Sequence, residues 1–385
     1  MSRKSLEKIF NVALDKVKAK SIIKDNISLE KNILSIEDEK INLKKINNLY
    51  IFGVGKAAFA MAKECENIID KKIKGGFVIS TTKGELEFCE HFTSTHPEVT
   101  KKSSEAATKL LKEVSKLKKD DYFIFLLSGG ASAMIEKPIE GLSLEDFIKA
   151  SSSLLTSGID IKALNTIRKS ISQVKGGKLA NSIKAKGKVL VLSDVIGDDL
   201  NIIGSAPMNN GKFKHSIVGN NEIALKEAKK YCNDKYEFCK IVTTTLDMAS
   251  EETSKFVSKK IKEYDKKYDS FILLFGGETT TVVKKDGGFG GRNQELALRL
   301  LLENKANENI SILCAGSDGI DGRSDANGAF VDFDLYKKIE KKKFNPKEFL
   351  ENSDSNTFFK KLGYDFVTGI TGTNVMDFII IKKGK

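Results

Sequence analysis

Between Gly287 and Glu295 the chain reads G-G-F-G-G-R-N-Q-E and then enters an apolar-patterned run, L-A-L-R-L-L-L-E. Glycine admits backbone turns at positive φ and lets a ligand come close to the amides. A helix N-terminus adds unpaired N–H groups and the positive end of a dipole, so the combination favours an anion, phosphate above all. Of the 64 basic residues only Arg3, Arg168, Arg292, Arg299 and Arg323 are arginines. In a lysine-rich chain, an arginine inside a glycine loop points to a need for the planar fork that lysine lacks. Gly290, Gly291 and Arg292 are therefore expected to bind phosphate or carboxylate, against the plainer reading of a tight surface turn.

Other loops repeat the theme. The run L-Y-I-F passes into G-V-G-K-A-A, formally a G-x-G-x-x-A turn through Gly53 and Gly55. A dinucleotide site would also need an acid after the next strand, and G-F-V-I-S-T-T-K-G has none. Lys56, in the first turn of the following helix, suits a phosphate or a developing negative charge better than a ribose. The run D-Y-F-I-F-L-L empties into S-G-G-A-S-A, where Gly129 and Gly130 make a backbone nest and Ser128 and Ser132 add donors. It is neither a Walker loop nor a hydrolase elbow, since no glycine stands two positions after Ser132 as the elbow needs. After K-V-L-V-L comes S-D-V-I-G-D-D, in which Asp194 and Asp198 offer hard oxygen ligands for Mg²⁺. Acidic turns also serve local hydrogen bonding, so that reading stays beside the first. F-G-G-E-T-T-T, with Glu278, and A-G-S-D-G-I-D-G again join strand, glycine and acid, and T-G-I-T-G-T-N-V-M-D surrounds Asn374 with small donors. The three histidines, His91, His96 and His215, lack zinc-ligand spacing.

Alternating short apolar runs and longer helical patterns predict parallel α/β architecture to hold these loops. Predicted strands are Leu49–Phe52, Gly76–Ser80, Tyr122–Leu127, Lys188–Leu192 and Ser216–Val218. Predicted helices are Lys56–Asp70, Ser103–Lys116, Leu144–Thr156, Ile161–Val174 (capped by Asp160) and Glu222–Tyr231. The second half predicts strands Cys239–Thr243, Ser270–Phe275, Thr280–Lys284, Ile310–Ala315 and Phe378–Lys382, with helices Met248–Tyr264 and Asn293–Glu303. The domain boundary is expected near Asn233–Tyr236, giving domains 1–235 and 236–385. Glycine loops in both halves suggest an active site in the cleft between the two domains.

At 385 residues, with 40% hydrophobic and 30% charged content, the chain has room for two ordinary cores. No apolar run approaches the roughly 18 residues of a membrane span. The N-terminus M-S-R-K-S-L-E-K-I-F-N-V-A-L-D-K-V reads as an amphipathic helix, not a signal peptide. Five cysteines without C-x-x-C spacing predict reduced thiols and a cytoplasmic protein. The net charge of +12 is spread over helix faces without a nucleic-acid motif, so it predicts steering of small anions and no nucleic-acid partner.

In this order, GVGKAA, SGGASA, NTIRKSISQVKGGKLA, SDVIGDD, GGETTT, GGRNQELAL, GSDGIDG and TGTNVMD resemble the glycerate 2-kinase family, the type II glycerate kinases with a MOFRL-type C-terminal domain. The resemblance runs from about Leu49 to the end. It implies a Rossmann-like, three-layer parallel-sheet N-terminal domain, a second mixed α/β domain, and phosphorylation of D-glycerate to 2-phosphoglycerate with ATP and Mg²⁺. It also implies functional roles for Lys56 and Arg292. The loop reading adds Gly53, Gly55, Ser128, Gly129, Gly130, Ser132, Gly290 and Gly291 for nucleotide phosphates. For the substrate it adds Arg168, Glu278, Asn293 and Asn374, and for the metal Asp194 and Asp198. Two departures stand at substrate loops: H-P-x-P-D is here His96-Pro97-Glu98-Val99-Thr100, and S-G-P-[ST] is Ser205-Ala206-Pro207-Met208. The alternatives are an NAD(P)H-dependent hydroxypyruvate reductase and a non-catalytic sugar-acid-binding protein; a homodimer stays open.

Overall fold

The computed structural model describes residues 2–156, 161–304 and 308–384, so Asp160, the expected helix cap, lies outside the described residues. The chain divides into two compact units, residues 18–219 and residues 1–17 with 220–385.

The unit of residues 18–219 is built on six parallel strands: Leu49–Val54, Ile73–Ser80, Glu90–Thr93, Tyr122–Ser128, Lys186–Leu192 and Lys214–Gly219. Counted along the chain, they stand in the order 3-2-1-4-5-6, the doubly wound arrangement. Every residue from Tyr122 to Ser128 is buried, as a strand covered on both faces requires. On one face Phe52, Val54, Phe123 and Phe125 share a core with Ala106, Ala107 and Leu110 of helix Lys101–Ser115. Gly53, of opposite parity, meets Ala58 of helix Ala58–Ile69. Helices therefore cover both faces, and the expected three layers are present. A small antiparallel sheet, Ile27–Glu30, Ile33–Ile36 and Glu39–Asn42, was not foreseen. The buried Lys188 ammonium pins its turn by bonding the Ile36 carbonyl at 3.1 Å and the Glu37 and Asp38 carboxylates at 2.8 and 3.1 Å.

The other unit carries a mixed six-stranded sheet in the spatial order Phe238–Leu246, Phe271–Gly277, Asp377–Lys383, Ile310–Gly316, Gly328–Val331, Asp365–Phe366. The last long strand of the chain is inserted antiparallel between Phe271–Gly277 and Ile310–Gly316. Its Ile379, Ile380 and Ile381 are consequently buried on both sides. This insertion explains the one predicted strand that does not form. Thr280–Lys284 has β-branched residues, but both edges of Phe271–Gly277 are already paired. The segment is loop, with a single bridge from Thr280 to Ala249.

The first helix, Ser2–Lys16, packs here against helix Asn221–Asn233 and strands Ile310–Gly316 and Asp377–Lys383. Leu6, Ile9, Phe10, Ala13 and Leu14 form its buried stripe at helical spacing. The division thus falls at Gly219/Asn220, with the N-terminal helix in the later unit, whereas the sequence suggested a boundary at Asn233–Tyr236. That polar stretch is a turn: the amides of Lys235 and Tyr236 both bond the Cys232 carbonyl. Composition marks a turn within a unit as readily as a linker between units. None of the described helices is long and apolar enough to cross a membrane.

Candidate active site

In the unit of residues 18–219 the strand order reverses between Leu49–Val54 and Tyr122–Ser128, and ligands of such sheets bind beyond the carboxyl ends of the strands at that point. The loops Gly55-Lys56 and Gly129-Gly130 both leave there. They are laced together: the Lys56 amide donates to the Gly129 carbonyl at 2.9 Å, and the Ala57 amide to Ser128 Oγ at 3.0 Å. The Gly55 amide donates to the Ile79 carbonyl at 3.1 Å. Three successive amides expected to cradle phosphate are thus already paired within the protein. Ser128 serves first as an acceptor at the start of helix Ala58–Ile69, and Ser132 pairs with Ser205 at 2.8 Å. Gly53 is buried, and a Cβ there would press on Leu126 and Ala58, so glycine serves the packing of strand on helix.

What this switch point does present is side chains. Lys56 is exposed, and a Cβ on Gly130 would meet both its Cγ at 3.2 Å and His96 Cδ2 at 2.9 Å. Burial and then the Lys56 charge lower the His96 pKa, which favours the neutral imidazole. A Cβ on Gly129 would fall 1.8 Å from Asp194 Oδ2, so glycine is required for the carboxylate to lie against the nest. Lys56, His96, Gly129, Gly130 and Asp194 are therefore one group. Asp198 follows Asp194 in the same turn, with its own backbone at φ 55°.

Arg168 is half-buried on helix Ile161–Ser170 and joins a different cluster. Its charge lies close enough to lower the pKa of Lys175, after the larger effect of burial and against the pull of Glu136. Lys175 and Glu136, both fully buried, form an ion pair at 2.5 Å. The sequence does not single them out: K-G-G-K-L-A contains Lys175, but no local signal says that a lysine in such a motif points inward.

In the other unit the candidate residues gather at one end of the mixed sheet. Asp377 begins its strand opposite Gly277 and Gly316, which end theirs, so Glu278 and the loop after Gly316 emerge beside it. Arg292 opens helix Arg292–Glu303 as expected, but its fork already has a partner. Nε donates to Asp377 Oδ2 at 2.6 Å, Nη2 to Asp377 Oδ1 at 3.0 Å, and Nη1 meets Glu278 Oε1 at 2.6 Å. Burial disfavours the charged guanidinium, yet Asp377 and Glu278 outweigh it and hold the proton more firmly than usual. The helix N-terminus likewise has its acceptor. Asp321 accepts the Asn293 amide at 3.0 Å and the Gln294 amide at 2.8 Å, and a Cβ on Gly291 would lie 2.3 Å from its Oδ1.

The expected bidentate grip on a ligand is thus a grip on Asp377, and the expected phosphate at the helix start is Asp321. The carboxylates that the glycine loop and the helix start hold are supplied by the chain itself. Asn293 is buried and donates its side-chain amide to Asp377 at 2.9 Å, so it too positions the acids. Asn374 folds back, its oxygen accepting the Met376 amide at 3.0 Å. Gly290 offers its carbonyl to the Arg323 amide at 2.9 Å. Asp321 and Asp377 were missed as site residues, although the quoted motifs contain both.

Asp321 yields a stability prediction. Burial raises its pKa, its two amide bonds lower it, and Asp377 raises it again, leaving it at about 7 against the ordinary 3.8. A folded-state pKa above the unfolded one stabilises fully below the unfolded value and is lost as pH rises through the folded value. This contribution should therefore decline between about pH 4 and pH 7. Thermal denaturation across that window should show a steeper decline for the wild type than for Asp321→Asn, which cannot ionise. Equal slopes would mean that Asp321 is ionised throughout.

Residues 5–231 match the family described as a domain of unknown function, DUF4147, and residues 271–377 match the MOFRL family. The chain is 36% identical to the D-glycerate 2-kinase of Thermotoga maritima, over 89% of this chain and 91% of that protein. It is 32% identical to the glycerate 2-kinase of Pyrococcus horikoshii, over 91% of each. Its fold is similar to the crystal structure of the Thermotoga maritima glycerate kinase, with a TM-score of 0.89 and 33% identity over 100% of both chains. A Pyrococcus horikoshii crystal structure gives a TM-score of 0.87 at 28% identity over 98% of each chain.

Proposed function

Since the chain belongs to the glycerate 2-kinase family, we propose that it transfers the γ-phosphoryl group of ATP to O2 of D-glycerate, releasing ADP, a proton and 2-phosphoglycerate. The observation that carries this reading is 36% identity over 89% of the chain to a D-glycerate 2-kinase, with the exposed Lys56 at the switch point of the parallel sheet.

Phosphoryl transfer asks for positioning and charge neutralisation more than for covalent chemistry. Lys56 supplies a compact cation, and neutral His96 beside it can accept a hydrogen bond from a substrate hydroxyl. Mg²⁺ uses one or two carboxylates, keeps several waters and takes the rest of its shell from phosphate oxygens. Asp194 and Asp198 match that donor set, and among the described residues no group of three or more His, Cys, Asp or Glu forms a closed metal cage. When bound, the ion would neutralise phosphate charge. The Arg292–Asp377–Asn293–Asp321 network acts as a rigid frame for Glu278 and the loops around it. Five free cysteines accord with the expected cytoplasmic location.

The reductase alternative fares worse. A nicotinamide cofactor would need loop amides for its pyrophosphate, and those of residues 55–57 are paired internally. Where its ribose acid would stand, strand Ile73–Ser80 ends in a serine hydrogen-bonded to His91 at 2.9 Å.

The test is purified protein with ATP, Mg²⁺ and D-glycerate, with products resolved by ³¹P NMR. Phosphate should appear on O2, only when all three are present. Asp194→Asn should raise the Mg²⁺ concentration for half-maximal rate by about tenfold, the equivalent of ~1.4 kcal/mol. Oxidation of NADH by hydroxypyruvate with ATP untouched would replace the kinase reading. An unchanged metal dependence would remove Asp194 from the metal site.

A further inference from the structure

The fork of Arg292 is closed by Asp377 and Glu278, but a second arginine stands on the adjoining glycine loop. Arg323 follows Asp321 and Gly322, and its amide bonds the Gly290 carbonyl at 2.9 Å. The two loops touch: a Cβ on Gly322 would lie 2.7 Å from Gly291 Cα. The side chain of Arg323 is exposed, and among the described residues none holds its guanidinium in an ion pair. It lines an open cavity of about 890 Å³ together with Phe289, Asn356, Lys360 and Lys361.

Phe289 is the more telling member. The residue is 63% exposed, yet its backbone is fixed on both sides. The Phe289 amide donates to Asp354 Oδ1 at 2.9 Å, and its carbonyl accepts the Asn356 amide at 2.9 Å. A large apolar ring held outward by an ordered loop, between two pairs of glycines, contributes nothing to the core. It is well placed to receive a planar apolar partner. The charges around it have one sign in excess: Lys360 is paired with Asp325 at 2.6 Å, and among the described residues no ion pair holds Arg323 or Lys361 at the rim.

A ligand that suits this pocket carries a flat ring and several negative charges close to it. We propose that the pocket binds the nucleotide, with its base stacked on Phe289 and its phosphates held by Arg323 and Lys361. Base stacking on an exposed aromatic is tolerant of ring identity, while the arginine fork reads phosphate oxygens in pairs. The choice of a nucleotide over other aromatic phosphates rests on the kinase reading above.

Calorimetry of the full-length protein with ATP, ADP, adenosine and 2-phosphoglycerate tests this, alongside steady-state KM values for ATP and D-glycerate. Phe289→Ala and Arg323→Ala should each raise the ATP Kd and KM by about tenfold, with KM for D-glycerate within twofold. Adenosine binding should weaken in Phe289→Ala and stay unchanged in Arg323→Ala. Arg323→Lys should recover only part of the loss, because lysine lacks the fork. Both residues are exposed, so circular dichroism should confirm intact folds.

ATP affinity within twofold of wild type in both alanine variants would overturn the assignment. So would a loss confined to 2-phosphoglycerate and D-glycerate, which would give the pocket to the acid substrate. Wild-type protein that binds ATP through these residues but does not phosphorylate D-glycerate would sink the kinase reading and leave the pocket standing. Active wild type with silent variants would do the reverse.

Discussion

Lys56→Ala should lower kcat/KM for glycerate phosphorylation by about 10³-fold, close to 4 kcal/mol of transition-state stabilisation. The reason is geometric. Lys56 is the cation that the parallel sheet delivers to its own switch point, and its side chain lies with His96 against the Gly130 nest. The loop itself should survive the change. It is held by main-chain bonds from residues 55 and 56 and by Ser128 Oγ on the Ala57 amide, none of which uses the lysine side chain. The melting temperature should therefore move by less than about 2 °C, as for other exposed substitutions. Steady-state kinetics with a parallel melting curve checks both parts. Activity within tenfold of wild type would mean that phosphate charge is met elsewhere, and the role given to the switch point would fall.

Arg292→Lys should act differently, because its cost falls on the protein as well as on the reaction. Arginine closes two hydrogen bonds on Asp377 and a third contact on Glu278. Lysine keeps the charge but cannot span both acids in that geometry. Asp377 is almost fully buried and would keep only the Asn293 amide and a single ammonium contact. Charge-assisted hydrogen bonds are worth about 1.5–3 kcal/mol each, so loss of one should lower the melting temperature by several degrees. With the frame around Glu278 loosened, kcat/KM should fall by on the order of 10- to 100-fold. A lower melting temperature with unchanged kcat/KM would make Arg292 a structural clamp alone. No change in either would mean that the Asp377 pair is dispensable.

This expectation reverses what the sequence suggests for Arg292. Read from the chain, a loop arginine at a helix start faces a ligand, and its replacement should leave stability untouched. The difference arises because Asp321 and Asp377 lie 29 and 85 positions downstream. Nothing local to G-G-F-G-G-R-N-Q-E says that those two carboxylates return to it. Only the antiparallel insertion of Asp377–Lys383 between two parallel strands brings Asp377 beneath the guanidinium. Ser128 is similar: its hydroxyl reads as a ligand donor until the fold sets it under the Ala57 amide.

Patterning along the chain sufficed for the strands of the parallel sheet from Leu49 to Gly219, except the short Glu90–Thr93 strand, and for the loops at their carboxyl ends. Apolar runs of strand length, alternating with helical periodicity, are local properties, and burial of such runs leaves little choice of architecture. The identity of the family was legible in the same way, because its motifs are contiguous. The tertiary structure alone decided which polar groups remain for a ligand. Hydrogen bonding and charge pairing are satisfied between residues far apart in sequence, and a donor that looks vacant in one dimension is filled in three. Lys56 and Arg323 stay exposed at their loops, whereas Arg292 turns inward because Asp377 and Glu278 reach it from far along the chain.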